Sequence, residues 1–357
     1  MKCSIVILNW NGAEMLRRYL PSVVQHTQDP DYEVVVADNG STDDSLTILK
    51  KEFPTVRTIV LDRNYGFAEG YNRAIAEIEA EYCVLLNSDV EVTENWLSPI
   101  LHYMDSHPQV AAAQPKILSW LSKEEVKKQY GSGSSDNRDS SGSGNRVRFE
   151  HAGAAGGYMD KLGYPYCRGR ILGDVEEDKG QYDTIAEIFW ATGACMCVRT
   201  YIYKELGGLD ADFFAHMEEI DLCWRMQSRG YKLVCIPEAK VYHLGGGALG
   251  YENPRKTYLN FRNNMLMLYK NCSTSTLLWL MPVRLILDYV AALQMLITGK
   301  SKNAMSVLKA RRDFWQMRKQ YQDKRKENLT KAIADVHFQT TSILWLKLTH
   351  SKSKIGN

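Results

Sequence analysis

Net charge is nearly absent from this chain. Across 357 residues, 44 Lys and Arg stand against 42 Asp and Glu, a formal balance of +2. So the sum offers no global field for a polyanion, and no base-reading motif accompanies it; no nucleic-acid partner is expected. A cysteine framework is missing too. The eight cysteines follow no regular spacing, and Cys195-Met196-Cys197 lacks the two-residue gap of a zinc knuckle or a thioredoxin-type motif. Reduced thiols and a cytoplasmic setting are the expectation. The apolar stretch before Asn9 is too short for the core of a signal peptide. Glycine-rich fingerprints are lacking as well: Gly66-Phe67-Ala68-Glu69-Gly70 is not GxGxxG, and the glycine run at 245–250 is followed by Tyr251 rather than Lys. Neither a GxSxG elbow nor a zinc-spaced Cys/His set occurs. What remains is a globular composition, 45% hydrophobic and 24% charged, with a length that suggests about two units.

The first 120 residues alternate short β-rich apolar runs with longer mixed segments, the pattern of repeated strand–helix units around a mainly parallel sheet. Strands are expected at 4–8, 33–37, 56–61 and 82–86, and a helix at 68–80 with Ala74, Ile75 and Ile78 on one face. Each strand runs into a polar cluster: Asn9-Trp10-Asn11-Gly12, Asp38-Asn39-Gly40-Ser41, Asp62-Arg63-Asn64-Tyr65-Gly66 and Asn87-Ser88-Asp89. In open α/β sheets ligands bind beyond the carboxyl ends of the strands, so four such clusters predict one shared site. Segment 131–144 differs from the rest, with four Gly and six Ser in fourteen residues. It reads as a flexible insert spanning about 121–145; a natural surface loop and an introduced linker both stay open. Further on, a helix is expected at 218–229 and a strand at 232–236 stopped by Pro237.

Three constellations could carry chemistry. Asn87-Ser88-Asp89 follows a buried strand, and a carboxylate on such a turn can take a divalent ion, although an Asn-x-Asp turn also serves as only a turn. Glu218-Glu219-Ile220-Asp221 places three carboxylates at a helix start, where they either complement the helix dipole or act on a substrate. His243 is either a structural hydrogen-bonder or a ligand.

Taken in order, these elements resemble the family 2 glycosyltransferases of the GT-A fold, especially their rhamnosyltransferase-like bacterial members. The resemblance rests on Ser4-Ile5-Val6-Ile7-Leu8-Asn9-Trp10-Asn11-Gly12, Asp38-Asn39-Gly40-Ser41-Thr42-Asp43, Asn64-Tyr65-Gly66-Phe67-Ala68-Glu69-Gly70-Tyr71-Asn72 and Leu85-Leu86-Asn87-Ser88-Asp89. It continues through Gly193-Ala194, Gly207-Gly208-Leu209-Asp210, Phe213-Phe214, Glu218-Glu219-Ile220-Asp221-Leu222-Cys223 and Tyr242-His243, about 245 residues in all.

The resemblance implies an α/β protein of the nucleotide-diphospho-sugar transferase fold over 1–250, with a C-terminal helical extension over 251–357 that packs or docks on a membrane. It implies an inverting enzyme that moves a sugar from a donor of the dTDP-rhamnose or UDP-hexose type to a hydroxyl of a glycan or lipid-linked glycan. Asn9, Asn11, Asp38 and Asn39 would hold the nucleotide; Asn64, Gly66, Phe67 and Asn72 would flank it, together with Asn87 and Ser88. Asp89 matches the last acid of the family's Asp-x-Asp motif, with Asn87 in the first position, and His243 matches a position that can complete a Mn2+ or Mg2+ shell. Glu219 would be the general base, with Glu218 as the competing choice. Asn87 in place of an acid also keeps open a catalytically weak or inactive nucleotide- or glycan-binding relative.

The tail has its own character. Residues 299–331 hold eleven Lys or Arg against Asp313, Asp323 and Glu327, with Phe314, Trp315 and Tyr321 interleaved. The preceding run 277–297 is long enough to span a bilayer, but Arg284 and Asp288 lie near its middle. A peripheral helix on the cytoplasmic face of a membrane, a helical subdomain without lipid, and a true span all stay open.

Overall fold

The computed structural model of the chain describes residues 1–130, 146–245 and 253–348. The Gly/Ser segment at 131–144 and the part of the glycine run beyond Gly245 lie outside the described residues. The N-terminal half runs β1 (Cys3–Asn9), α1 (Ala13–Gln25), β2 (Tyr32–Asn39), α2 (Ser45–Glu52), β3 (Arg57–Leu61), α3 (Gly66–Ala76), β4 (Tyr82–Asn87) and β5 (Val90–Val92). It continues with α4 (Ser98–Ser106), β6 (Val110–Ser119) and α5 (Trp120–Tyr130). Short strands β7 (Gly157–Met159), β8 (Pro165–Cys167), β9 (Arg170–Ile171) and β10 (Asp174–Val175) form a separate antiparallel sheet. Then come β11 (Ala186–Glu187), β12 (Cys195–Arg199), α6 (Thr200–Glu205), α7 (Glu218–Ser228) and β13 (Lys232–His243). Five helices close the described chain: α8 (Pro254–Asn271), α9 (Thr274–Ile297), α10 (Ser301–Met317), α11 (Gln322–Lys331) and α12 (Ile343–Leu348).

The main sheet has the order β11-β13-β6-β12-β4-β1-β2-β3, with β5 paired to β13. The β4-β1-β2-β3 part is wholly parallel. Strands β4, β1 and β2 are apolar on both faces because both are covered: Ile5, Ile7, Val84 and Leu86 enter one core layer, Val6, Val35 and Leu85 the other. Helix α1 fits by presenting Leu16, Tyr19, Leu20 and Val23 at the i, i+3, i+4, i+7 spacing of a single buried face. Strand β12 runs antiparallel to β4, so its beginning, Gly193-Ala194, lies at the same sheet edge as the end of β4. The Asn87 N–H donates to the Ala194 carbonyl there at 3.0 Å.

Two expectations are corrected. Pro237 does not stop β13. The strand runs on to His243, with a register shift against β6 between Ile236 and Lys240; an irregularity tolerates a residue without an N–H, which a regular ladder does not. Nor is the start of the insert a loose linker. Helix α5 takes in residues 121–130, where Val126 is buried and Lys123 pairs with Glu91; Trp120, just before them, lies edge-on to Tyr19 at 6.0 Å and donates to Glu91 at 2.7 Å.

The C-terminal helices share the main core. Met265 and Leu268 of α8, Phe314 of α10 and Tyr321 belong to the same apolar cluster as Val6 and Leu85. Buried ion pairs reinforce that packing: Lys270 Nζ lies 2.6 Å from Asp210 and 2.7 Å from Asp221, and Lys324 Nζ lies 2.6 Å from Asp210. Burial would raise the Asp210 carboxyl, but these two lysines outweigh it and hold it down at about 2.

Candidate active site

The carboxyl ends of β1, β2 and β4, the start of β12 and the end of β13 meet at one sheet edge. The first two loops are laced together. Asn9, fully buried, donates from Nδ2 to Asp38 Oδ1 at 3.1 Å and to Ser41 at 3.3 Å; its own Oδ1 has no partner among the described residues. Asn11, at φ 49°, accepts from the Thr42 N–H at 2.7 Å. Asp38 also accepts from the Ser41 N–H. Trp10, 53% exposed, stands between the two asparagines at the lip.

Asn39 and Asn72 each make several hydrogen bonds within the chain. Asn39 is buried, with both ends of its amide occupied: Nδ2 donates to Asn64 and the Gly66 carbonyl, and Oδ1 accepts from the Tyr65 N–H. It braces the β3–α3 loop and presents no free edge to a base. Asn72 likewise grips the Leu209 backbone at both its N–H and carbonyl, and accepts from Tyr203. In each case a buried or half-buried amide next to chain turns finds backbone partners, since leaving them unmade is costly. Asn64 accepts from the Gly66 N–H and is exposed, whereas Ser88 is half-buried on the β4–β5 turn.

Asp89 and His243 come together from distant parts of the chain. His243 Nε2 lies 3.1 Å from Asp89 Oδ1 and 3.4 Å from Asn87 Nδ2. On the other side of the ring, Nδ1 lies 3.1 Å from Glu150 Oε2. Burial alone would lower the His243 pKa, but the two carboxylates, Asp89 foremost, lift it to about 10. Burial likewise works against ionised Asp89, and His243 overcomes it to hold that carboxyl below its usual range.

This donor pair fits a divalent cation. Two ligands at about 2.1 Å in adjacent positions of an octahedron stand about 3.0 Å apart, close to the observed spacing of Asp89 and His243. Glu150 lies near the second ring nitrogen, where an outer carboxylate would orient a metal-binding imidazole. A cation would replace the imidazolium proton. Among the described residues no group of three or more His, Cys, Asp or Glu is arranged around a metal position, so further oxygens would come from substrate phosphates and water. Glu150 was invisible in the sequence, because its partner His243 lies in a remote strand and no spacing rule links them.

The two glutamates reach the edge through a strained turn. Phe214, His216 and Met217 all have positive φ, at 65°, 70° and 74°, a conformation non-glycine residues hold only when their surroundings enforce it. The Phe214 carbonyl accepts from the N–H groups of Phe67 and Ala68, and the Phe214 ring fills the space beside Gly66, whose φ is +81°. Asn263 of α8, fully buried, donates to the carbonyls of Phe213, Ala215 and His216 at 3.0, 2.9 and 2.8 Å. Helix α7 then starts at Glu218. A Cβ on Gly193 would stand 3.0 Å from Phe67 and 3.9 Å from the Glu219 Cβ, so Glu219 borders the Gly193-Ala194 edge.

Glu218 is buried, and Oε2 of both glutamates has no hydrogen-bond partner among the described residues. Burial raises both: Glu219 to about 7, Glu218 well above the usual carboxylate range, with Glu219 adding to it. Asp221, one turn on, is neutralised instead by Arg225, Lys270 and Asn271. Replacing Asn263 by Ala leaves those loop carbonyls short of a donor and is expected to lower stability by about 2–3 kcal/mol. Asn263→Asp, which cannot donate when ionised, is expected to lose as much; urea denaturation of both measures it.

Residues 4–156 match the family model described as Glycosyl transferase family 2. The matched stretch is thus of glycosyltransferase family 2 type. The N-acetylglucosaminyl-diphospho-decaprenol L-rhamnosyltransferase of Mycobacterium tuberculosis (strain CDC 1551 / Oshkosh) is 24% identical to this transferase over 250 residues, covering 67% of this chain and 75% of the relative. Among solved structures, S. aureus TarS 1-349 is similar with a TM-score of 0.52 and 14% identity, over 93% of this chain and 89% of that one. GalNAc-T7, solved with UDP, GalNAc and Mn2+, is similar with a TM-score of 0.55 and 16% identity over 77% of this chain. The chain spans about half of GalNAc-T7, 48%. These structures give the chain the GT-A fold, and the family 2 match supports sugar transfer from a nucleotide-sugar donor, with inversion as is the rule for that family.

Proposed function

We propose that this transferase moves a deoxyhexose or hexose from a dTDP-rhamnose or UDP-hexose type donor to a hydroxyl of a glycan, in its fullest form a glycan carried on a lipid diphosphate. The observation that carries the reading is the pair of orphaned glutamate oxygens bordering the edge where Asp89 and His243 meet. Residues 1–250 would form the transferase unit and 251–357 its helical support. Asn9, Asn11 and Asp38 would frame the nucleotide, with Phe67 and Ser88 beside the sugar.

Asp89 and His243 would hold Mn2+ or Mg2+, which when bound neutralises charge on the departing diphosphate. Glu219 takes the acceptor hydroxyl's proton as its oxygen bonds to the anomeric carbon and the bond to the diphosphate oxygen breaks. A pKa of about 7 suits a general base, because the carboxylate is substantially ionised at neutral pH yet basic enough to accept a proton. Glu218, raised further and deeper, keeps its proton and lends the site a neutral neighbour. A lipid-linked acceptor, as in the name of the mycobacterial relative, would bring the enzyme to the cytoplasmic face of a membrane.

The reading is tested by incubating the purified chain and Mn2+ with a panel of nucleotide sugars, with and without a polyprenyl-diphosphate-linked GlcNAc acceptor. Acceptor-dependent release of dTDP or UDP, with an inverted linkage by NMR, is the expected result. Release of no nucleotide diphosphate from any donor would overturn it.

A further inference from the structure

Helix α9 is built the reverse way from a helix that faces water. Its buried stripe, Leu280, Arg284, Asp288 and Ala292, is ionic at the centre. Arg284 donates to the carbonyls of Leu162 and Gly163 at 3.0 and 3.1 Å and lies 3.7 Å over the Tyr164 ring. Asp288 stands 3.8 Å from Arg284 and 2.8 Å from Arg311 of α10. The opposite face carries Leu278, Pro282, Ile286, Tyr289, Leu293 and Ile297, at steps of three and four residues, all exposed. Leu278 is 75% exposed, Ile286 63% and Ile297 78%. An amphipathic helix on an aqueous surface turns its apolar stripe inward. Here the polar groups are inside and the apolar stripe runs the length of the helix, 24 residues or about 36 Å.

Helix α10, which packs on α9 through that ion pair, supplies charge of the sign an acidic surface attracts. Lys302 and Lys309, with Lys319 just past the helix end, are exposed at one-face spacing, and Met305 and Trp315 are exposed among them; Arg312 on the same face pairs with Asp313. Exposed apolar side chains beside basic ones match the acyl boundary and headgroups of an anionic bilayer. Not all of the basic tail serves this surface: Arg311 pairs with Asp288, Lys324 with Asp210 and Asp212, and Arg325 donates to the Tyr269 and Cys272 carbonyls.

We infer that the outer face of α9, flanked by the basic stripe of α10, is the surface by which this transferase docks on an anionic membrane, with α9 lying in the interface rather than crossing it. Crossing is disfavoured by packing: the Arg284–Asp288 side is covered by Leu162–Tyr164 backbone and by α10, so lipid cannot surround the helix. The inference rests on the proposed peripheral location and names the surface that makes the contact.

The deciding experiment is flotation of the full chain with vesicles of equimolar phosphatidylglycerol and phosphatidylcholine, or of phosphatidylcholine alone, at low and at high NaCl. Donor turnover is measured in parallel with a short-chain, water-soluble acceptor. Wild type is expected to bind the anionic vesicles at least about tenfold more than the neutral ones, and less at high salt. The Ile286→Glu/Leu293→Glu double variant should lose at least about tenfold of that binding with turnover retained. The separate variant Lys302→Glu/Lys319→Glu, which leaves the apolar stripe intact, should lose the preference for anionic lipid. Absence of vesicle binding by wild type, or undiminished binding by the α9 variant, would overturn the inference. So would light scattering that shows a dimer dissociated by the α9 substitutions, since a second copy would then be the occupant. Flotation without turnover would sink the catalytic reading and uphold the docking surface.

Discussion

Glu219→Gln is expected to cut sugar transfer by about a thousandfold while nucleotide binding persists. In the proposed reaction the carboxylate is the proton acceptor for the attacking hydroxyl, and a positioned general base contributes roughly 10²–10⁴ in rate. Gln keeps the shape and loses the basicity. Because burial raises Glu219 to about 7, the wild-type rate should rise with pH through that region to a plateau, and the residual rate of the variant should lack that limb. Full turnover by Glu219→Gln would move the base to Glu218.

The same substitution has a stability signature of opposite sign. A carboxyl whose pKa is raised on folding binds its proton more tightly in the folded state, so its contribution is full below the unfolded value of 4.5 and is lost as pH rises through about 7. Above that pH the folded enzyme carries a shielded charge with an unpartnered oxygen. Glu219→Gln should therefore be the more stable protein at about pH 8, by an amount on the order of 1–3 kcal/mol. The difference should shrink toward zero by about pH 4–5, and thermal melts across that range read it directly. A site residue that costs stability is the expected mark of a carboxylate held for chemistry.

Asp89→Ala is expected to abolish transfer to a similar degree by a different route. It removes one of two facing donor atoms and leaves His243 with Glu150 alone. The thermal stabilisation that Mn2+ plus nucleotide diphosphate gives the wild type should vanish, since a ligand raises stability only as far as it binds the folded state. In Glu219→Gln that stabilisation should remain. The pair of variants thus separates cation-holding from proton removal. Retention of the Mn2+-dependent shift in Asp89→Ala would overturn the metal assignment.

The extent to which the site was legible follows from where each partner lies in the chain. Strand ends are local signals: apolar runs broken by Asn, Asp and Gly marked β1, β2 and β4, and the loops that follow them, to within a residue or two. The Glu218-Glu219 start of α7 was visible for the same reason. The partners of Asn39 and Asn72 were not legible, because residue type reveals donors and acceptors but not which group lies nearest; here those groups include the Gly66 and Leu209 backbone. Glu150 and Asn263 carried no signal at all. One meets His243 only through the fold, and the other clamps a turn on a distant, earlier stretch of chain.

Sequence alone determined the fold class, the transferase family and the short list of carboxylates, because strand periodicity, loop chemistry and motif order are written in neighbouring residues. Tertiary structure decided how those groups differ. Burial separated Glu218 and Glu219 from the neutralised Asp221, and a long-range Glu150 gave His243 its second carboxylate. In α9, packing decided that Arg284 and Asp288 face protein. That follows because charge is stabilised only where partners converge in space, and this leaves the apolar face outward, an orientation no count of hydrophobic residues contains.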